Sequence, residues 1–224
     1  MVNVPSVIDI SDRLVRAIIF DMDGVIIDSE PLHLQADSET FIRHGISIPS
    51  SAWNDIFGMK SEDGLRVILG RYGTGTEDLA VFAGEKRARY FELADSGLKL
   101  IPGAEAFISS CVDRSLPLAV ATSGLAAYQL PYLERFGLRT LFDVIVTGDD
   151  VTHGKPHPEP YLLAASRLGI PPSECLVIED ADNGIRSAKA AGCVTVGITT
   201  TMSHEALSAA GADFVIGSFL EMPR

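Results

Sequence analysis

Two aspartates separated by a single residue, Asp21 and Asp23, follow directly on the apolar run Ala17-Ile18-Ile19-Phe20. Four apolar residues in a row read as a strand buried on both faces, the kind found in parallel sheets. Carboxylates crowded at the end of such a strand repel one another, and Asp28 and Glu30 add to the crowding within the same short segment. Like charges gather at the edge of a core when a cation is shared among them. In open α/β sheets, ligands bind outside the carboxyl ends of the strands. The segment therefore asks for a hard divalent ion and a phosphate-sized ligand.

Other polar clusters recur at the same place, the end of an apolar run. Leu116–Ala121 reads as a strand ending at Thr122-Ser123-Gly124, and Asp143–Val146 as one ending at Thr147-Gly148-Asp149-Asp150. Cys175–Ile178 ends at Glu179-Asp180, while Cys193–Ile198 and Phe214–Ile216 look like two further strands. Helical stretches lie between them, among them Pro158–Leu168 and Gly184–Ala191. Alternating strands and helices of this kind predict βαβ units, and hence an α/β fold with a doubly wound, mainly parallel, Rossmann-like sheet. Taken alone, Thr-Ser-Gly is an ordinary turn and cap, and a lone Lys155 is a solvated surface residue.

From about Leu32 to Ser96 the alternation stops and apolar residues recur at helical spacing, as in Leu65, Ile68, Leu69 and Tyr72. We read this stretch as about four helices inserted after the first strand. The expected domains are residues 1–31 with 97–224 as the core and 32–96 as a helical insertion.

Composition narrows the function classes. With 18 Lys and Arg against 30 Asp and Glu, the formal charge is −12 and no basic block relieves it. Sequence-independent binding to nucleic acid or to an anionic membrane needs the opposite field, so neither is expected as a partner. Cys111, Cys175 and Cys193 are odd in number and widely spaced, which reads as buried thiols in a reducing compartment. With no apolar leader or membrane-length run in the sequence, the expected location is the cytoplasm.

Taken together, Asp21-Met22-Asp23-Gly24-Val25, Thr122-Ser123-Gly124, Lys155-Pro156 and Glu179-Asp180-Ala181-Asp182-Asn183-Gly184 resemble, in order, the four motifs of the haloacid dehalogenase superfamily. The resemblance spans nearly the whole chain. It implies a nucleophile at Asp21 that becomes an aspartyl-phosphate and a general acid–base at Asp23. It further implies phosphoryl binding by Thr122 with Gly24 and the backbone of Ser123 and Gly124, and a steadying cation at Lys155. The implied cofactor is Mg²⁺, held by Asp21, Asp180, the Asp23 carbonyl and Glu179, the last directly or through water. An aspartate at position 23 favours phosphatases and phosphomutases over dehalogenases. Asn183 and Gly184 are expected to shape the turn into the next helix.

The insertion resembles the helical cap of sugar-phosphate phosphatases and β-phosphoglucomutase. His33 matches a hinge histidine of the mutase; its other reading is a surface residue on the first cap helix. Phe57–Asp63 looks like the specificity loop, but Ser61 and Phe57 stand where the mutase holds a second phosphate with an arginine and a lysine. Lys60 and Arg66 are the candidate substitutes. The expectation is a Mg²⁺-dependent phosphatase of a small phosphorylated metabolite, with a phosphosugar mutase as the alternative and a catalytically silent binding protein as a third reading. The expected assembly is a monomer or small homo-oligomer.

Overall fold

The computed structural model describes residues 13–49, 52, 61–75 and 78–222. The strands β1 (Ala17–Phe20), β2 (Leu118–Ala121), β3 (Val144–Val146), β4 (Cys175–Glu179), β5 (Val194–Ile198) and β6 (Phe214–Ile216) form one sheet in the order β3-β2-β1-β4-β5-β6. Every adjacent pair is parallel. The fold is α/β and Rossmann-like. β2 starts two residues later than its apolar run because the Leu116 N–H still closes a turn on the Cys111 carbonyl (3.0 Å). Pro117, which follows, has no N–H to give a ladder.

Alternation along β1 decides which side chains meet which layer. Ile19 joins Ala119, Ala121, Val177, Ala164, Ala165 and Ala188 in a buried cluster between the sheet and the helices α6 (Glu159–Leu168) and α7 (Asp182–Ala191). Alanines on both surfaces let these helices approach closely. On the opposite face Phe20 meets Phe107 and Phe142 edge-on, with ring centroids 6.1 and 5.9 Å away. Phe107 belongs to α4 (Ala104–Asp113). Both faces of the central strand are thus covered by apolar side chains.

The strands' polar ends coincide with the reversal in strand order. β1 sits between β2 and β4, and the chain leaves it in both directions. At such a switch point the loops diverge and open a crevice at the carboxyl edge. Asp21, Thr122 and Asp180 are the residues that immediately follow β1, β2 and β4.

The chain folds as two compact units, one running to Asp28 and resuming at Leu100, the other comprising Ser29–Lys99. The second contains α1 (Glu30–Arg43), α2 (Ser61–Tyr72) and α3 (Leu79–Gly97). Its core gathers Phe41, Ile46, Leu65, Ile68 and Phe82. A buried ion pair, Lys86 to Asp37 at 2.8 Å, ties α3 to α1. His33 lies flat on Tyr90, with centroids 3.9 Å apart and planes 7° from parallel. No helix among the described residues is long and apolar enough to cross a membrane.

Candidate active site

Lys155 is the hub of the carboxyl-edge crevice. Its Nζ donates to Asp21 Oδ1 at 2.6 Å and to Glu179 Oε1 at 2.7 Å, and its side chain is only 7 % exposed. A lysine this far from β1 in sequence gets there because its loop is fastened at both ends. Upstream, Thr147 N–H and hydroxyl donate to Asp150 Oδ2, and Arg167 donates to Asp150 Oδ1. Downstream, Glu159 accepts the backbone N–H groups of Thr152 and His153, and the Ser187 hydroxyl donates to the His157 carbonyl. Pro156, Pro158 and Pro160 fix φ between these anchors. His153, His157 and Glu159 lie together. Their facing atoms are paired within this loop, His153 Nδ1 with Glu159 Oε2 at 3.0 Å and His157 Nδ1 accepting the Glu159 N–H at 3.2 Å. That trio is a clamp on the lysine loop.

Glu179 is held by protein donors. Oε1 receives Lys155 and the Tyr161 hydroxyl (2.6 Å), and Oε2 receives the N–H groups of Asp180 (3.1 Å) and Ala181 (3.3 Å). The absent side chain of Gly184 makes room for this carboxylate, since a Cβ there would overlap it. Gly184 therefore does not shape the turn into α7, as expected, but lies with Asn183 inside its first helical turn. Its role is close approach. Tyr161, fully buried, also places its ring 5.0 Å below the Lys155 ammonium. The sequence reading missed Tyr161. Its signal is a hydroxyl on an otherwise apolar helix face (Tyr161, Ala164, Ala165), where a buried phenol needs a partner.

Asp21 and Asp180 are buried too, and Asp21, Glu179 and Asp180 bring one oxygen each within 4.8 Å of one another. Burial raises the Asp21 carboxyl from its ordinary 3.8 to about 7, with Lys155 pulling it down and Glu179 and Asp23 pushing it up. Burial also holds Asp180 well above the usual carboxylate range, helped by Glu179 and Asp21. Burial would lower the Lys155 ammonium, but Asp21 and Glu179 outweigh it and the net shift is upward. The Lys155 ammonium thus faces Asp21, Glu179 and Asp180 together. The surplus negative charge, with Asp21 and Asp180 oxygens at the crevice, fits a hard divalent cation. Glu179 brings an oxygen to the same group while its carboxylate also accepts four protein donors, so it stands beside Asp21 and Asp180 as a candidate for the metal shell, directly or through water.

Gly24 adopts φ +72°, a left-handed conformation that favours glycine, and a Cβ on it would overlap the Asp180 carboxylate. The Thr200 hydroxyl donates to the Gly24 carbonyl at 2.5 Å, fixing the turn after Asp23. Thr122 Oγ1 accepts the Gly124 N–H at 3.0 Å, which leaves its hydroxyl hydrogen to be donated. The backbone of Ser123 and Gly124 was expected to offer N–H groups to an anion: the Gly124 N–H is engaged by Thr122, and the first N–H of α5 (Ala126–Arg135) donates to Asp149 Oδ2 at 2.7 Å. The anion welcomed by that helix end is Asp149, and the Gly124 N–H is turned back on Thr122. Gln129, also missed, donates from Nε2 to Asp23 Oδ2 at 3.0 Å.

The crevice therefore assembles Asp21, Asp23, Gly24, Thr122, Lys155, Glu179 and Asp180 at one sheet edge. The three residues expected from the insertion belong to the other unit: His33 is half-buried against Tyr90, Arg66 is exposed on α2, and Lys60 lies outside the described residues.

Comparison with known proteins agrees with this arrangement. The chain is 34% identical over 209 residues to validoxylamine A 7'-phosphate phosphatase of Streptomyces hygroscopicus subsp. limoneus, covering 92% of this chain and 95% of that protein. It is 33% identical over 201 residues to the phosphorylated carbohydrates phosphatase of Thermotoga maritima, covering 88% and 92%. Among solved structures, β-phosphoglucomutase from Clostridium difficile superposes with a TM-score of 0.74 at 27% identity, covering 93% of each chain. Two aspartates, a lysine and an acidic pair gathered at one edge of a parallel sheet, with residues 15–192 matching the model for haloacid dehalogenase-like hydrolases, lead to one conclusion: the chain belongs to that hydrolase family.

Proposed function

We propose that this phosphatase hydrolyses a small phosphorylated metabolite, a sugar phosphate or related polyol phosphate, through a covalent phospho-Asp21 intermediate with Mg²⁺ as cofactor. The observation that supports it most is Lys155 bridging Asp21 and Glu179 at the sheet edge, with Asp23 two residues beyond the nucleophile. Asp21 attacks phosphorus; the bond to the leaving oxygen breaks and that oxygen takes the Asp23 proton. Asp23 then removes a proton from water, and the hydroxide oxygen displaces Asp21, returning phosphate and the free carboxylate. Lys155 draws the Asp21 carboxyl back toward ionisation against its burial and presents positive charge to the phosphoryl oxygens, and the Thr122 hydroxyl donates to them. Asp21 and Asp180, with the Asp23 carbonyl, would hold Mg²⁺, which when bound supplies the charge that lets an anionic nucleophile meet an anionic phosphate. Glu179 holds Lys155 and joins them directly or through water.

The carbohydrate class comes from the named activities of the two relatives, and the likeness to β-phosphoglucomutase keeps phosphoryl transfer to a sugar hydroxyl as the second reading. His33, Lys60 and Arg66 belong to the same proposal as contributors to recognition of the non-phosphate part. A panel of phosphorylated metabolites scored for released phosphate, with Mg²⁺ and with a chelator, tests it. Release from sugar phosphates that stops on chelation is expected, and no release across the panel contradicts it. Incubation with β-glucose 1-phosphate separates the readings: free phosphate marks the hydrolase and glucose 6-phosphate the mutase. His33→Ala and Arg66→Ala are expected to alter the ranking within the panel more than turnover of an aryl phosphate.

Metal binding should also be visible without turnover. The folded state raises Asp21 to about 7 from its ordinary 3.8, so between those values it holds more protons than the unfolded chain. Metal-free stability therefore falls as pH rises through that window. Mg²⁺ competes with those protons, so the increase in Tm on adding it should be small near the bottom of the window and grow above its top. Differential scanning calorimetry across pH reads this directly.

A further inference from the structure

Gln129 is buried to 7 % exposure on α5, the helix that follows β2, and reaches Asp23 across 106 residues of sequence. Its Nε2 donates to Asp23 Oδ2 at 3.0 Å, while its Oε1 is buried with no hydrogen-bond partner among the described residues. An orphaned buried acceptor costs stability that a hydrocarbon of the same shape would not. Reversing the amide would set Oε1 against the Asp23 oxygen, so the orientation with Nε2 toward Asp23 is the one that gives the pair a hydrogen bond. The neighbouring loop makes way for it. Gly124 has no left-handed backbone to explain it, yet a Cβ there would overlap the Gln129 amide. The sequence thus accepts an unpaired carbonyl and a glycine in the Thr122 loop to keep one N–H on the Asp23 carboxylate.

We propose that Gln129 is a positioning residue that fixes the rotamer of Asp23, so that its carboxyl faces the departing oxygen, with Gly124 providing the space. The inference rests on the phosphatase reading given above and adds a residue to it. Leaving-group protonation matters most when the leaving oxygen is basic, and general acid catalysis supplies about 10²–10⁴-fold where it is needed. A misaimed Asp23 should therefore harm poor leaving groups selectively.

The test compares kcat/KM for phenyl phosphate and 4-nitrophenyl phosphate in the intact protein and in Gln129→Met, which keeps the volume and removes the amide. Phenyl phosphate should lose about tenfold and 4-nitrophenyl phosphate no more than about threefold, a small part of the general-acid contribution. Tm should stay level or rise, because the orphan acceptor is gone. Gly124→Ala, which displaces the amide by another route, should show the same leaving-group selectivity. In an Asp23→Asn background, Gln129→Met should cost nothing further. Equal losses on both substrates, or none on either, overturn the assignment and leave the phosphatase reading standing. Failure of the unsubstituted protein to hydrolyse either ester defeats both.

Discussion

Asp21→Asn should lower kcat/KM for an aryl phosphate by roughly 10⁴–10⁶, the scale seen when a covalent nucleophile is lost. The amide keeps the size and the acceptor oxygen facing Lys155, so the fold survives. Stability should even increase in metal-free protein above neutral pH, because burial opposes ionisation of Asp21 and asparagine carries no charge. The Mg²⁺-dependent rise in Tm should shrink in the same variant, since a carboxylate ligand is gone. Loss of activity with a retained or raised Tm separates chemistry from folding. Residual turnover near the unsubstituted level, in protein freed of contaminating phosphatase, contradicts a nucleophilic role.

Lys155→Met has the opposite profile: activity and stability should fall together. Asp21 and Glu179 would both lose their ammonium partner in a site where Asp180 already adds negative charge. Breaking a buried pair by removing one member costs about 3–5 kcal/mol, readable by urea denaturation. Turnover should drop by about 10²–10³, the usual effect of deleting one electrostatic stabiliser of a transition state. The two variants should not be additive. Asp21→Asn removes one of the charges that Lys155 neutralises, so the double variant should be more stable than the sum of the singles by at least about 1 kcal/mol. Additive costs would mean that the contact at 2.6 Å between Lys155 and Asp21 is not what holds the loop.

How far the molecule can be read from its residues depends on the distance over which each effect acts. The strands were legible because a parallel sheet covered on both faces demands continuous apolar runs, and Ala17–Phe20 and Cys175–Ile178 are such runs. Crowded acids at strand ends were legible for the converse reason: nothing about packing explains them. Tyr161 and Gln129 were not legible, because each acts on a partner 18 or 106 residues away that only the folded sheet brings near. Gly184 was read as shaping the turn into the next helix, whereas the structure uses its bare backbone to seat Glu179. The Gly124 N–H looked available to an anion by its place in the motif, whereas the structure turns it back on the Thr122 hydroxyl oxygen. Motif spacing locates residues; it does not report which of their hydrogen bonds are already taken.

The most direct measurement is a rapid acid quench of the enzyme during turnover of a radiolabelled phosphoryl donor, followed by peptide mapping. An acyl phosphate survives acid and is cleaved by hydroxylamine, which distinguishes it from phosphate on a hydroxyl or an imidazole. The label is expected on the peptide that contains Asp21, hydroxylamine-labile and absent from Asp21→Asn. Label on any other residue, or phosphate released in the first turnover from an enzyme that never carries label, would show that no covalent bond forms at this aspartate.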